Sequence, residues 1–184
     1  MATLLAEFPL PSKEEMRMKL VVAVDEAWGI GKNGDLLRRI SADMKNFRKI
    51  TTGNTLVLGR KTLESFPNGL PLPDRDHIVL STNPMYACKE AIICHNLAEM
   101  KHSLAMVSDK DIFVVGGGSI YEQLLPFCDT AYITKIHDIF PADTYFPDLD
   151  KSEDWIMEVC GDVQEEKGLS FSFCIYKNKN AQSL

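Results

Sequence analysis

Residues 111–127, DIFVVGGGSIYEQLLPF, contain the local pattern that decides the fold class. The apolar run 111–115 predicts a buried strand, and residues 119–127 predict a helix directly behind it. Gly116, Gly117 and Gly118 separate the two elements. A strand that passes through a short turn into a helix is the repeating unit of α/β proteins.

The same alternation extends outward over most of the chain. Further strands are predicted at 19–24, 54–58, 77–81, 91–94 and 131–136, and further helices at 41–51, 61–66 and 96–106. Ser41 is expected to cap the first of these helices, while Asn96 and Glu99 form a capping-box start for the last. Residues 25–40 are predicted as a Gly-rich loop, and residues 67–73, PNGLPLP, are predicted to be irregular.

The C-terminal end changes character. The segments WIMEVC (155–160) and SFSFCIYK (170–177) predict an antiparallel hairpin. The chain as a whole is therefore predicted to be an α/β sandwich whose mainly parallel sheet has an antiparallel C-terminal edge.

Length and charge exclude several classes of protein. The 184 residues correspond to one domain, and the net charge of −6 argues against a nucleic-acid partner. No apolar run approaches the ~18 residues of a membrane span. Residues 1–17 are predicted to be a loosely attached N-terminal extension, residues 18–184 a single domain, and the location cytoplasmic.

The cysteines and histidines show no recognisable metal-binding or disulfide motif. The five cysteines include no CxxC pair and are predicted to be small buried residues rather than a disulfide framework. The four histidines lack HxxxH or HExxH spacing, so no metal site is predicted.

Two glycine motifs resemble nucleotide-binding sites only superficially. Residues 29–34, GIGKNG, match GxGxxG, but the next predicted helix begins seven residues later, which favours a mobile loop over a Rossmann site. Residues 53–62, GNTLVLGRKT, resemble a P-loop, but a predicted strand fills the space between the glycines. That strand argues against an ATPase.

Asp43 is the first candidate for chemistry. It lies in the first turn of the predicted 41–51 helix, on the same apolar face as Phe47 and Ile50. An acid on an apolar face is costly unless it binds a ligand or a buried donor. The alternative is a second N-terminal cap, because helix starts commonly carry Asp.

Cations and glycines that follow strands are the second candidates. The run Gly116–Gly118 favours close approach of a phosphate, although a tight turn is the alternative. Arg60, Lys61 and Thr62 could hold a phosphate monoester or could be solvated. Arg75 stands in a proline-rich loop, where it could bind a carboxylate or be a surface charge. Together these features predict a large anionic cofactor that meets a small substrate.

The chain resembles the dihydrofolate reductases from about residue 18 to residue 177. The matching segments, in order, are LVVAVDEAWGIGKNGDLL, ISADMKNFRKITTG, LVLGRKTLESF, PLPDRDHIVLS, DIFVVGGGSIYEQLLP, and YITKI with ADTYFPD. The resemblance implies the family's three-layer sandwich, with helices on both faces of the sheet.

The resemblance also implies a role for each site residue. Asp43 would hold the 2-amino and N3 edge of the pterin, and the catalytic group would be Asp43, Leu36 and Thr134. Arg75 would receive the α-carboxylate of the folate glutamate, and the substrate-binding group would be Val21, Ala23, Met44, Phe47, Phe66, Leu72, Arg75 and Val115. The cofactor-binding group would be Ala23, Ile30, Gly31, Gly59, Arg60, Lys61, Thr62, Ser81, Thr82, Gly116, Gly117, Gly118, Ser119, Ile120 and Tyr121, with a cis peptide between Gly116 and Gly117.

The implied reaction is hydride transfer from NADPH to C6 of dihydrofolate, with a proton delivered to N5 by water. The loop 29–37 would close over the nicotinamide. The chain departs from the family pattern at Leu37 and Arg38, where many members have Pro-Trp, and we expect Arg38 to point outward. A monomer is the expected oligomeric state.

Two alternatives remain at this stage. One is an NADPH-dependent pyrimidine reductase of the riboflavin pathway, which shares the fold but lacks the helix carboxylate that Asp43 provides. The other is a non-catalytic ligand-binding protein on the same scaffold, which only the Leu37-Arg38 departure favours.

Overall fold

The structure, a computed structural model, describes residues 17–107 and 110–184. The helices in these ranges are α1 (Ser41–Thr51), α2 (Arg60–Glu64), α3 (Leu97–Leu104) and α4 (Gly118–Leu124). The strands are β1 (Met18–Val24), β2 (Gly29–Lys32), β3 (Asp35–Leu36), β4 (Thr55–Gly59), β5 (Asp76–Leu80), β6 (Ile92–Cys94), β7 (Ile112–Val114), β8 (Cys128–Ile136), β9 (Thr144–Tyr145), β10 (Trp155–Cys160), β11 (Gln164–Glu166) and β12 (Leu169–Asn178). Short 3-10 helices lie at Pro67–Gly69, Leu125–Phe127 and Leu149–Lys151.

The main sheet has the order β10-β12-β8-β1-β7-β4-β5-β6, with β11 paired to β12. The neighbours from β8 to β6 along this order are parallel, whereas β12 is antiparallel to both β8 and β10. The predicted mainly parallel sheet with an antiparallel C-terminal edge is therefore confirmed.

Helices cover both faces of this sheet. Along β4 the side chains alternate, so that Leu56 and Leu58 pack in one apolar cluster and Val57 packs in another. The first cluster includes Phe47 of α1 and Leu63 of α2. The second cluster receives α3 and α4 through Met100, Leu104, Ile120 and Leu124. This arrangement is the expected three-layer sandwich.

The prediction of a loop at residues 25–40 is wrong in part. Strands β2 and β3 form a small antiparallel sheet with β9. Asp25 fixes its beginning, because its carboxylate is 2% exposed and accepts hydrogen bonds from the backbone N–H groups of Ala27, Gly29 and Phe140. These strands are too short and too rich in glycine to show a period-two pattern, which explains why the sequence does not reveal them.

Three smaller predictions also need correction. Ser41 does not cap α1, because the N-cap position is Ile40 and no side-chain cap bond forms there. The irregular segment 67–73 contains one turn of 3-10 helix at Pro67–Gly69. Helix α3 has the predicted capping box, in which Asn96 accepts from the N–H of Glu99 at 2.9 Å, but it ends at Leu104 rather than residue 106.

The cysteines follow the prediction only in part. Cys94 and Cys128 are free and buried, as expected of small apolar residues, and Cys88 is free and partly buried. Cys160 is exposed and forms a disulfide with Cys174, opposite which it lies in the β10–β12 pair. The expectation that no cysteine pairs is therefore wrong for these two, and the cross-strand register brings them together.

The expectations about the N-terminal extension, membrane spans and metal sites can be compared only with the described residues. Of the predicted extension 1–17, all but Arg17 lies outside the described residues. None of the helices described is long and apolar enough to cross a membrane. Within residues 17–107 and 110–184, no group of three or more His, Cys, Asp or Glu side chains could hold a metal ion.

Candidate active site

A cavity of about 900 Å³ opens at the carboxyl ends of the parallel strands. Its walls include Ala23 near the end of β1, Gly59 at the end of β4, Ser81 after β5 and Val115 after β7. Ligands of open α/β sheets bind at this edge because the loops and helix starts converge there.

Nearly all the predicted site residues line this one cavity. The lining includes Val21, Ala23, Ile30, Gly31, Leu36, Asp43, Met44, Phe47, Gly59, Arg60, Lys61, Thr62, Phe66, Leu72, Arg75, Ser81, Thr82, Val115, Gly116, Gly117, Gly118, Ser119, Ile120 and Tyr121. Thr134 does not line the cavity but contacts it through Asp43.

Two carboxylates line the cavity: Asp35 is exposed and forms an ion pair with Arg39, whereas Asp43 has no such partner among the described residues. Asp43 projects from the first turn of α1, and its Oδ1 accepts a hydrogen bond of 2.6 Å from the Thr134 hydroxyl on β8. Burial raises the pKa of the Asp43 carboxyl above its ordinary value, and the Thr134 bond opposes that rise. Among the described residues Asp43 forms no ion pair, so its remaining oxygen positions are available to ligand donors.

Tyr121 closes the inner wall of the cavity. Its side chain is buried, and its hydroxyl donates a 2.6 Å hydrogen bond to the carbonyl of Val21 on β1. Burial, followed by the nearby Asp43 charge, raises the pKa of Tyr121 above its ordinary value. Tyr121 therefore stays neutral and acts as a donor that fixes α4 against β1.

The glycine run forms a turn that side chains would obstruct. Gly116 has φ of 115°, which L side chains rarely adopt, and the Gly116–Gly117 peptide is cis, as the resemblance implies. A Cβ on Gly118 would lie 2.7 Å from Cγ2 of Thr144 on β9. The run thus lets the small sheet approach the N-terminus of α4 and presents backbone without side chains to the cavity.

The cationic corner of the cavity lies at the start of α2. Arg60 forms an ion pair of 2.9 Å with Glu64 one turn later, so its charge is partly compensated in this structure. Lys61 is exposed and Thr62 lies beside Gly117, whose Cβ would stand 3.4 Å from Thr62 Oγ1. Ser81 is buried, and its hydroxyl accepts from the N–H of Asn83.

Arg75 lies at the opposite end of α1 from Asp43. Its guanidinium donates to Thr51 Oγ1, Thr52 Oγ1 and the carbonyl of Pro73 at 2.9, 3.1 and 2.6 Å. Burial and the charge of Arg48 lower the pKa of Arg75 from its ordinary value. The eight residues from Asp43 to Thr51 correspond to about 12 Å along the helix axis. Helix α1 therefore sets the separation between the carboxylate and the cation.

Arg38 points away from the cavity, as expected. Its guanidinium carbon lies 4.1 Å from the ring centroid of Phe140, and Nη1 donates to the carbonyl of Leu37 at 2.7 Å. Neither Leu37 nor Arg38 lines the cavity. From residues 34–39, the cavity lining includes Gly34, Asp35, Leu36 and Arg39, so the departure from Pro-Trp lies outside it.

Sequence reasoning missed several residues of the site. Arg48, His95 and Thr144 line the cavity. His95 directly follows β6, so its position after a strand was a signal that could have identified it. Arg48 lies outside the stripe of Asp43, Phe47 and Ile50 on α1, and Thr144 reaches the cavity only through the small sheet.

Comparisons with known proteins agree with this geometry. The sequence model of the family described as Dihydrofolate reductase matches residues 17–178. The chain is 38% identical over 179 residues to the dihydrofolate reductase of Drosophila melanogaster, covering 87% of this chain and 97% of that protein. It is 35% identical over 167 residues to that of Bacillus subtilis, covering 89% and 96%.

A solved structure shows the same relationship. It is a dihydrofolate reductase from Enterococcus faecalis in complex with NADP(H) and RAB-propyl. It matches with a TM-score of 0.76 and 34% identity, covering 88% of this chain and 96% of that one. The family match, the relatives and the shared fold lead to one conclusion: the chain belongs to the dihydrofolate reductase family.

Proposed function

We propose that this chain reduces 7,8-dihydrofolate to 5,6,7,8-tetrahydrofolate with NADPH, and that Asp43 and Thr134 form the centre of the site. The observation that carries the assignment of these residues is the Asp43 carboxylate, which lines an apolar cavity with only a hydroxyl as its described partner. The pterin presents parallel N–H donors at its 2-amino and N3 edge, and a carboxylate accepts such a pair through both oxygens.

Asp43 orients the substrate rather than delivering the proton itself. Its bond with Thr134 fixes the carboxylate, and the carboxylate in turn fixes the pterin plane within the cavity. The apolar side chains of Val115, Phe47 and Leu36 line that cavity and exclude bulk water from the reacting carbon. The proton for N5 comes from water, because Asp43 binds the far edge of the ring.

The cavity also has room and chemistry for a dinucleotide cofactor. NADPH, when bound, supplies the hydride. The turn Gly116–Gly118 lines the cavity at the start of α4 without side chains, so its backbone N–H groups could donate to the oxygens of a pyrophosphate. Arg60, Lys61 and Ser81 line the part of the cavity that would hold the ribose phosphate. The small sheet of β2, β3 and β9 would cover the nicotinamide, because Ile30, Gly31 and Thr144 of this sheet line the cavity.

Arg75 is proposed to bind the glutamate α-carboxylate of the substrate. The loop that carries it is fixed by His77, whose Nε2 accepts from the N–H of Leu72 at 3.1 Å. The guanidinium is thereby presented at the C-terminal end of α1, where a helix dipole favours a cation. A bound carboxylate would take over donors that now reach Thr51, Thr52 and Pro73.

The alternative reactions are less well supported. A pyrimidine reductase would have no use for a carboxylate such as Asp43 together with Arg75 in one cavity. A silent binding protein was favoured only by Leu37 and Arg38, and neither residue lines the cavity.

General properties of the chain complete the proposal. We expect a monomer in the cytoplasm, with residues 18–184 forming one domain and residues 1–17 an extension. The net charge of −6 supports the expectation that nucleic acid is not a partner.

The direct test is the loss of NADPH absorbance in the presence of dihydrofolate, with NADH as the parallel cofactor. We expect rapid loss that requires dihydrofolate and a clear preference for NADPH. Absence of turnover in a folded protein that still binds NADPH would contradict the proposed reaction. Equal rates with the two cofactors would contradict the phosphate-binding role of Arg60 and Lys61.

A further inference from the structure

Helix α1 carries Asp43 but lacks a cap of its own. The N-cap residue is Ile40, whose apolar side chain cannot accept a hydrogen bond. The first N–H groups of a helix have no partner within it and need an acceptor from elsewhere. For α1 these groups include the N–H groups of Ser41 and Ala42, immediately before Asp43.

A distant carboxylate satisfies both groups. Glu166 Oε1 accepts from the N–H of Ser41 at 2.8 Å, and Oε2 accepts from the N–H of Ala42 at 3.1 Å. Glu166 is 125 residues away from Ser41 in sequence. These two backbone bonds hold the pKa of the Glu166 carboxyl below its ordinary value, so Glu166 is an anion at the positive end of the helix.

The hairpin that carries Glu166 is joined to the strand that carries Thr134. Glu166 ends β11 and pairs with Leu169 of β12 across a two-residue turn. Strand β12 in turn pairs with β8, where Phe173 lies opposite Thr134. Leu169 packs against the apolar cluster of Ile40, Ile136 and Phe171, which lies beneath the start of α1. One hairpin therefore supports both partners of the Asp43–Thr134 bond.

We propose that Glu166 is a positioning residue for the reaction: it fixes the first turn of α1 so that Asp43 meets both Thr134 and the pterin. The inference rests on the proposed role of Asp43. It assigns no direct contact between Glu166 and the substrate, since Glu166 does not line the cavity.

The test compares Glu166→Gln with the matched control Glu165→Gln. Glu165 is the exposed neighbour on the same strand and forms no ion pair within the described part of the chain. We expect Glu166→Gln to raise the KM for dihydrofolate about 3- to 30-fold, the range spanned by lost helix caps, and to leave the KM for NADPH within about 2-fold. Glu165→Gln should leave both constants unchanged.

The pH profile separates positioning from other effects. A loosened first turn weakens the Thr134 bond, so the acid limb of kcat/KM for dihydrofolate should move to higher pH. Loss of the Glu166 charge alone would move that limb to lower pH, because a neighbouring anion would be gone. Tyr121, Arg39, Arg48 and Arg75 also face the cavity, and all four are unchanged in both variants.

These measurements distinguish a failure of the positioning role of Glu166 from a failure of the proposed role of Asp43. Equal rises of both KM values, or a profile identical to that of Glu165→Gln, would overturn the positioning role. If Glu166→Gln does not fold, Glu166→Asp serves in its place. It keeps the charge on a shorter side chain, so it should raise the KM for dihydrofolate less strongly and still leave the KM for NADPH within about 2-fold. Asp43→Asn is measured in parallel: normal turnover there would instead refute the role of Asp43 itself.

Discussion

The Thr134 hydroxyl donates to Asp43 Oδ1 over 2.6 Å and so ties the first turn of α1 to the centre of β8. This bond is the described interaction that opposes the effect of burial on the Asp43 carboxyl. It couples the position of the acid to its state of ionisation.

Replacing Thr134 by Val removes this bond. The pKa of Asp43 then rises further, because burial is no longer opposed, and the ionised form is lost at higher pH. We expect kcat/KM for dihydrofolate to fall about 10-fold or more at neutral pH, with its acid limb moved upward. Thr134→Ser keeps the hydroxyl and serves as the control. An unshifted profile in Thr134→Val would contradict the coupling.

The Asp43 carboxylate should also lower the stability of the ligand-free protein. Because its pKa in the folded state lies above the ordinary value of 3.8, the native chain binds this proton more tightly than the unfolded chain. The destabilisation is complete above the folded-state pKa and disappears as the pH falls below the ordinary value. Asp43→Asn should therefore raise the melting temperature at neutral pH by roughly 2–4 °C, or about 1 kcal/mol.

The pH dependence of this gain is the check. The difference in melting temperature between Asp43→Asn and the unaltered chain should shrink as the pH approaches 3.8. A difference that is constant over the whole range would show that ionisation of Asp43 is not its source.

Arg75→Leu should selectively weaken the binding of dihydrofolate. Loss of a partly buried Arg–carboxylate pair is expected to raise the KM for dihydrofolate roughly 30-fold or more, with the KM for NADPH unchanged. A dihydropterin without the glutamate tail provides the control, because it has no carboxylate for Arg75 to bind. If the variant raised the KM for dihydrofolate and the KM for the dihydropterin equally, Arg75 would have a structural role at the end of α1.

Gly118→Ala should impair the cofactor side of the cavity. The added Cβ would lie 2.7 Å from Thr144 Cγ2, and such overpacking costs typically about 1–3 kcal/mol. We expect a lower melting temperature and a higher KM for NADPH. Thr144→Ser removes Cγ2, so the double variant should recover most of both losses. If the double variant recovers neither the melting temperature nor the KM for NADPH, the contact with Thr144 is not the cause of the losses.

The sequence predicts those features of the fold and the site that local patterns determine. The bounds of α1 follow from its apolar stripe, and the convergence of Arg60, Ser81 and Gly116 follows from the rule that polar residues after parallel strands meet at one edge. Local patterns contain this information, because strand direction and helix periodicity are local properties.

The remaining features depend on contacts between distant segments. The Glu166 cap of α1 joins residues 125 apart, and the small sheet pairs Gly31 with Thr144. The Cys160–Cys174 pair likewise depends on the register of two strands. A local pattern at Ser41 suggested the wrong cap because nothing near it in sequence indicates Glu166.

The most direct measurement is the single-turnover rate of NADPH oxidation by dihydrofolate, with both at saturating concentration, in the unaltered chain and in Asp43→Asn. We predict that Asp43→Asn binds NADPH normally and slows this step about 100-fold or more, because the pterin is no longer oriented. An Asp43→Asn enzyme that transfers hydride at the rate of the unaltered chain would contradict the central role of Asp43.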